Sequence, residues 1–296
     1  MPIADLGDLS LWYQRYESDA SDAVPALLIQ GLGMQATDWP QTLIDRLLAK
    51  RPVIVFDNRD AGLSQCMGAS SIATLAEADF PDERPLPGHV AYTLGDMAED
   101  ARRLLDHLGV GRAHLIGFSM GGMIAQLMAA IHPAHACSVT GLMTSAGQAW
   151  IRSSPDADQM MRRSIVAETD RTQLVEQYLV AEEIYAGPST LPSLTERRES
   201  IGQALARGYH PAGIWRQARA MRAGGARQEL LAGLSVPILM LHGSADPVIN
   251  VSQAAEIRNL LPQAWFEILP GTGHVLTEAN GSGIAARIAA FWDSLS

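Results

Sequence analysis

The chain has 296 residues, 47% of them hydrophobic and 18% charged, which suffices for a sizeable core and excludes a disordered or fibrous protein. Its formal net charge of −10 argues against nucleic acid or an anionic membrane surface as partner, because both are polyanions. Two cysteines are too few for a disulfide framework and stand in no metal-ligand spacing; Cys137 reads as a buried thiol and Cys66 as a loop thiol.

Residues 1–8 carry no basic segment and no apolar run, so no signal peptide is expected, and a cytoplasmic protein is the default. The apolar stretch 115–131 is interrupted by Gly117, Ser119, Gly121, Gly122 and Gln126, which rules it out as a membrane span. In chain order, residues 2–4 and 9–16 flank a turn as a hairpin whose second arm alternates apolar and polar. Residues 26–29 and 53–56 are continuous apolar runs, the pattern of parallel strands covered on both faces. Between them a helix is expected over 40–50, with Leu43, Ile44, Leu47 and Leu48 on one face. The polar stretch 66–92, with Pro81, Pro85 and Pro87, reads as a long loop, and such loops are usually functional or mobile.

Thr93-x-x-Asp96 is a capping box. It opens a helix carrying Leu94, Met97, Ala98, Ala101, Leu104, Leu105 and Leu108 at helical spacing, stopped by Gly109. A strand over 113–116, a helix over 120–131 and a strand over 138–143 follow. From 145 to about 231 the strand pattern disappears, and the segment is helical, broken at Pro155, Gly187-Pro188, Pro192 and His210-Pro211. Strand–helix alternation resumes with a strand over 236–241, a helix over 252–261, a strand over 265–269 and a last helix over 282–295. The fold class is therefore α/β: a mostly parallel sheet with an N-terminal antiparallel hairpin and helices on both faces. Residues 1–145 and 232–296 make the core, and 146–231 form an inserted helical cap over the carboxyl edge of the sheet, where α/β proteins bind ligands.

The chemistry concentrates at Gly117-Phe118-Ser119-Met120-Gly121. An apolar strand runs directly into a helix through a G-x-S-x-G turn, a form that exposes a serine hydroxyl as nucleophile. Side chains at Gly117 or Gly121 would collide across so sharp a turn. A tight turn with a surface serine is the alternative reading. Asp246 follows the strand over 238–241, and His274 follows the next strand, so both fall at the same sheet edge. The order Ser, Asp, His is the one this topology requires. In that reading His274 is the general base, Asp246 holds its tautomer, and Ser119 is acylated. Taken singly, Asp246 before Pro247 could be a turn or cap residue, and His274 a solvated loop histidine. His242 is the rival base and reads as a structural, satisfied histidine. The oxyanion hole needs two N–H donors, worth about 3–4 kcal/mol each. Met120, at a helix N-terminus, supplies one, and Leu32 in Gln30-Gly31-Leu32-Gly33 the other. This chemistry needs no cofactor and no metal.

With these motifs the chain resembles the α/β-hydrolase superfamily over nearly its whole length. The carriers are Gln30-Gly31-Leu32-Gly33, residues 57–64 (Asp-Asn-Arg-Asp-Ala-Gly-Leu-Ser), Gly117-Phe118-Ser119-Met120-Gly121-Gly122, His242-Gly243-Ser244-Ala245-Asp246 and Gly273-His274. Many relatives have histidine at the position of Gln30, a departure that bears on substrate more than on catalysis. The Gln-Gly-Leu-Gly and Asn-Arg-Asp-Ala-Gly-Leu-Ser wording is similar to a bacterial group of aclacinomycin methylesterase-like and macrolide esterase-like enzymes. That resemblance implies a bulky, amphipathic natural-product ester or lactone, such as a polyketide or macrolide antibiotic, as substrate.

The expected activity is that of a carboxylic-ester hydrolase acting on a small-molecule ester and water, as a monomer or homodimer. Gln30, Trp150, Tyr185, Trp215, Met221 and Val275 are the candidate substrate-binding residues, since aromatic and methionine side chains adapt to large apolar ligands. The same triad serves thioesterases, lactonases, C–C bond hydrolases and perhydrolases, and some similar proteins keep it as slow-turnover ligand receptors.

Overall fold

Runs dominated by apolar residues become the inner strands of one sheet. Every residue of β3 (Ala26–Ile29) and β4 (Val53–Phe56) is buried in the computed structural model, as is every residue of β5 (Ala113–Phe118) and β7 (Ile238–Gly243). The structure describes residues 2–20, 22–68, 90–148, 151–165 and 170–295. Most of the long loop expected over 66–92, His89 included, lies outside the described residues, and so does Trp150.

The eight strands form one sheet in the order β1-β2-β4-β3-β5-β6-β7-β8. The outer strands β1 (Ile3–Asp5) and β2 (Ser10–Tyr16) are the antiparallel hairpin. Strand β2 also joins β4 antiparallel, and the remaining pairs, from β4–β3 through β6 (Ala136–Leu142) to β8 (Trp265–Leu269), are parallel. Alternate side chains feed opposite faces, because successive residues of a strand point to opposite sides. Leu27, Ile29, Ile54, Phe56 and Leu115 join α2 (Leu94–His107) and α3 (Met120–Ile131) in one core cluster. Ala26, Leu28, Val53, Val55 and Ile116 join α1 (Gln41–Leu48) and α11 (Glu278–Asp293) in the other.

Several boundaries differ from expectation for local reasons. Strand β7 continues through His242 and Gly243, paired with Ile268 and Leu269 of β8. The helix expected over 252–261 is two short pieces, α9 (Val251–Ala255) and α10 (Ile257–Leu260). Helix α11 starts at Glu278, because Thr277 and Asn280 close a capping box ahead of the apolar periodicity. Cys137 is half-buried on β6 and not the buried thiol expected.

Between the adjacent strands β6 and β7 lies a helical insert: α4 (Pro155–Ile165), α5 (Arg171–Ala186), α6 (Leu194–Gly208), α7 (Pro211–Ala223) and α8 (Gln228–Ala232). Leu174, Val175, Leu179, Ile201 and Leu205 give α5 and α6 a small core of their own. Ala157, Ala220 and Leu231 pack in the main core, so the insert is rooted in the sheet domain at both ends. Strand order reverses between β3 and β5, one connection running outward to β4 and the next crossing back. The carboxyl ends at that switch point are where an open α/β sheet leaves a crevice.

Candidate active site

Ser119 sits directly past the end of β5, at the switch point. Its amide donates to the Leu142 carbonyl at 2.9 Å, and its carbonyl accepts from Thr144 Oγ1 at 2.8 Å. These bonds hold the residue at φ 51°, ψ −118°, a conformation that costs a non-glycine residue about 1–3 kcal/mol. The flanking glycines make the turn possible: a Cβ on Gly117 would strike the Gly121 carbonyl, and one on Gly121 would strike the Ile29 carbonyl. Half-buried Ser119 thus faces the carboxyl ends of β3 and β5.

The other two predicted side chains meet it there. His274 Nε2 lies 2.9 Å from Ser119 Oγ, and its Nδ1 lies 2.8 Å from Asp246 Oδ2. A carboxylate can only accept, so Nδ1 carries the proton and Nε2 is left as the acceptor for the serine hydroxyl. Asp246 Oδ1 accepts from the amides of Val248 and Ile249, both at 2.8 Å. The turn role and the role toward His274 coexist in Asp246, one oxygen each. Burial pushes the Asp246 carboxyl up, but the His274 and His242 imidazoles and the Ile249 amide outweigh it and hold it below the usual carboxylate range. Helix α5 closes on the histidine from the insert: the His274 amide donates to the Tyr185 carbonyl at 2.7 Å. The Phe118 ring packs on the imidazole, centroids 5.1 Å apart.

His242 is fully buried, and its Nε2 donates to the Ile249 carbonyl at 2.8 Å. It also stands 3.3 Å from Asp246 Oδ2. It is not the fully satisfied residue expected, because its Nδ1 has no partner among the described residues.

The turn after β3 lies against the serine. A Cβ on Gly31 would come within 3.3 Å of Ser119 Cβ. Neither the Leu32 nor the Met120 amide has an acceptor among the described residues. Gln30 is fully buried; its carbonyl accepts from Asn58 Nδ2 at 3.0 Å, and its Nε2 has no partner among the described residues. Tyr185, Trp215, Met221 and Val275 are all half-buried. Tyr185 and Val275 adjoin His274, whereas Trp215 packs on Ile214 and Ala218 with the Arg219 guanidinium 4.7 Å over its ring.

Residues 57–64 bind the insert to this edge. Asp60 takes Arg216 in a two-pronged pair at 2.5 and 2.8 Å and accepts from Tyr92 Oη at 2.7 Å. Buried Asp57 lies 2.8 Å from Arg207. Sequence reading missed these partners, and Thr144 with them, because each acts from a distant part of the chain.

A family model described as the alpha/beta hydrolase fold matches residues 25–279, and the chain belongs to that family. The rhodomycin D methylesterase of Streptomyces peucetius is 25% identical, with 96% of this chain and 95% of the relative covered. The 3-oxoadipate enol-lactonase 1 of Acinetobacter baylyi is 26% identical over 74% of this chain and 80% of its own length. The enol-lactonase from Burkholderia xenovorans LB400 has the same fold, with a TM-score of 0.75 at 19% identity over 99% of this chain and 100% of that one. No helix among the described residues is long and apolar enough to cross a membrane.

Proposed function

We propose that the protein is a serine hydrolase that cleaves carboxylic esters through an acyl-enzyme. The observation that carries this reading is the hydrogen-bond relay from Ser119 Oγ through the His274 ring to Asp246 Oδ2, at 2.9 and 2.8 Å. Ser119 Oγ attacks the ester carbonyl carbon while its proton passes to His274 Nε2. The carbonyl electron pair moves onto oxygen, where the free amides of Leu32 and Met120 stabilise the charge. Collapse of the tetrahedral adduct breaks the bond to the alkoxy oxygen, which leaves as the alcohol with the proton from His274. Water then attacks the acyl carbon while giving a proton to His274, and the second adduct breaks the bond to Ser119 Oγ, which takes that proton back from His274 as the acid leaves.

For substrate we favour a bulky, amphipathic ester or lactone of the polyketide or macrolide kind. The methylesterase relative, whose name specifies rhodomycin D, supports this choice. The aromatic and methionine side chains of the insert, Tyr185, Trp215 and Met221, all half-buried, are the kind of lining such a substrate would need. The same steps open a cyclic ester, which is the bond the enol-lactonase relative's name implies.

A fluorophosphonate should add once, at Ser119, and block turnover of a chromogenic nitrophenyl ester. Labelling at a different residue, or turnover that survives full labelling, contradicts the assignment. A mass-spectrometric screen of bulky esters and macrolactones tests the substrate class, and a strong preference for acetate esters over every large substrate contradicts it.

A further inference from the structure

Gln217, on α7 of the insert, is fully buried, and both ends of its amide are used on the sheet domain. Its Oε1 accepts from the Gly33 amide at 2.8 Å, across 184 residues of sequence. Its Nε2 donates to the Arg59 carbonyl at 2.7 Å. Gly33, at φ 68°, ends the turn that carries Leu32. Ile214, on the same helix, presses on this glycine from above: a Cβ at Gly33 would come within 2.9 Å of it. The helix is itself fixed to the sheet domain, since Gly213 packs on the Asp60 carbonyl and Arg216 pairs with the Asp60 carboxylate.

We infer that Gln217 is a positioning residue of the oxyanion turn, holding Gly33, and through it the Leu32 amide, where a developing oxyanion requires a donor. Oxyanion donors stabilise charge only if they are in place before the reaction, and a turn of four residues with two glycines has little rigidity of its own. Without the Gln217 amide, the half-buried Gly33 N–H and the buried Arg59 carbonyl lose their partner. The turn then shifts to satisfy them. A misplacement of about 1 Å is enough to cost on the order of 100-fold in rate. In this arrangement the insert completes the catalytic machinery as well as covering it. The catalytic consequence rests on the hydrolase reading, whereas the hold on the turn does not.

The test compares wild type with Gln217→Met, which removes both bonds at similar volume, and Gln217→Glu, which keeps an oxygen for Gly33. Hydrogen exchange of the 30–34 peptide reports the turn, and steady-state kinetics on a nitrophenyl ester report the reaction. We expect Gln217→Met to speed exchange in that peptide and lower kcat by about 10–100-fold with KM within about threefold. Gln217→Glu, which accepts from Gly33 but no longer donates to the Arg59 carbonyl, should recover part of the loss. Unchanged exchange in both variants overturns the inference whatever the kinetics. Faster exchange with unchanged kcat overturns its catalytic part, as does a loss confined to KM. A wild-type protein that turns over no ester overturns the hydrolase reading alone, and exchange still decides the role of Gln217.

Discussion

His242 Nε2 lies 3.3 Å from Asp246 Oδ2, the same oxygen that holds His274 at 2.8 Å, so one buried carboxylate oxygen faces two imidazoles. Burial pushes the His242 pKa down. A neutral ring has one N–H, and the Ile249 carbonyl fixes it on Nε2, so His242 steadies Asp246 without exchanging a proton with Ser119. His274→Ala should therefore lower kcat/KM by roughly three to four orders of magnitude. His242→Ala should lower it by less than about tenfold, with a drop in melting temperature from the emptied site. The reverse pattern in steady-state kinetics would make His242 the base.

Asp246→Asn keeps the shape of the turn but replaces an acceptor with an amide that donates toward Nδ1. The imidazole tautomer is then no longer imposed, and kcat should fall by roughly three to four orders of magnitude. Asp246 also contributes to stability at neutral pH. Its folded pKa lies below the ordinary value, so that contribution is present above the unfolded pKa of about 3.9 and lost as pH falls through the folded one. Activity and acid unfolding curves of Asp246→Asn check the two effects separately.

Gly121→Ala should be among the most damaging small substitutions in the chain. The added methyl meets the Ile29 carbonyl, a backbone atom that no rotamer change moves aside. A destabilisation of roughly 3 kcal/mol or more is expected, with loss of soluble yield. A wild-type melting temperature for this variant would contradict the tight packing of α3 on β3.

Asp60 is fully buried and paired with Arg216, so Arg216→Met leaves a buried charge without its guanidinium. Loss of one partner of a buried pair costs about 3–5 kcal/mol. Adding Asp60→Asn should recover part of it, because the remaining amide needs no counter-charge. A double-mutant cycle by chemical denaturation measures the coupling, and additivity of the two changes would rule it out.

His114 gives stability a pH dependence remote from the active site. Burial, then Arg51 and Arg112, push its pKa down to about 3, and its Nδ1 is bonded to Ser138 Oγ at 2.8 Å. The unfolded chain takes up the proton near pH ~6.5 while the folded one does not, so stability falls as pH drops from there toward about 3. His114→Gln should flatten that slope relative to wild type, by up to about 1.4 kcal/mol per pH unit. Denaturation midpoints at several pH values give the comparison.

Local sequence was sufficient where local forces decide. The apolar runs at 26–29 and 53–56, the capping box at Thr93 and Asp96, and the glycines around Ser119 each specify their own backbone. The positions of Asp246 and His274 were legible for a related reason: each follows a buried strand directly, and parallel strands bring their carboxyl ends to one edge. Boundaries went astray at His242-Gly243 and at α9 and α10, where pairing with β8 and a break at Glu256 override apolar periodicity.

The chain order of Ser119, Asp246 and His274, and the strand–helix rhythm that orders them, were determined by the sequence itself, because each depends on contacts within a few residues. Only the tertiary structure decided which oxygen of Asp246 meets His274, that His242 shares it, and that Gln217 and Arg216 reach back to Gly33 and Asp60. Those contacts join residues far apart in the chain. Periodicity and capping carry no information about such pairs, since the pairs exist only once the sheet has set its strand order and the insert has settled over its edge.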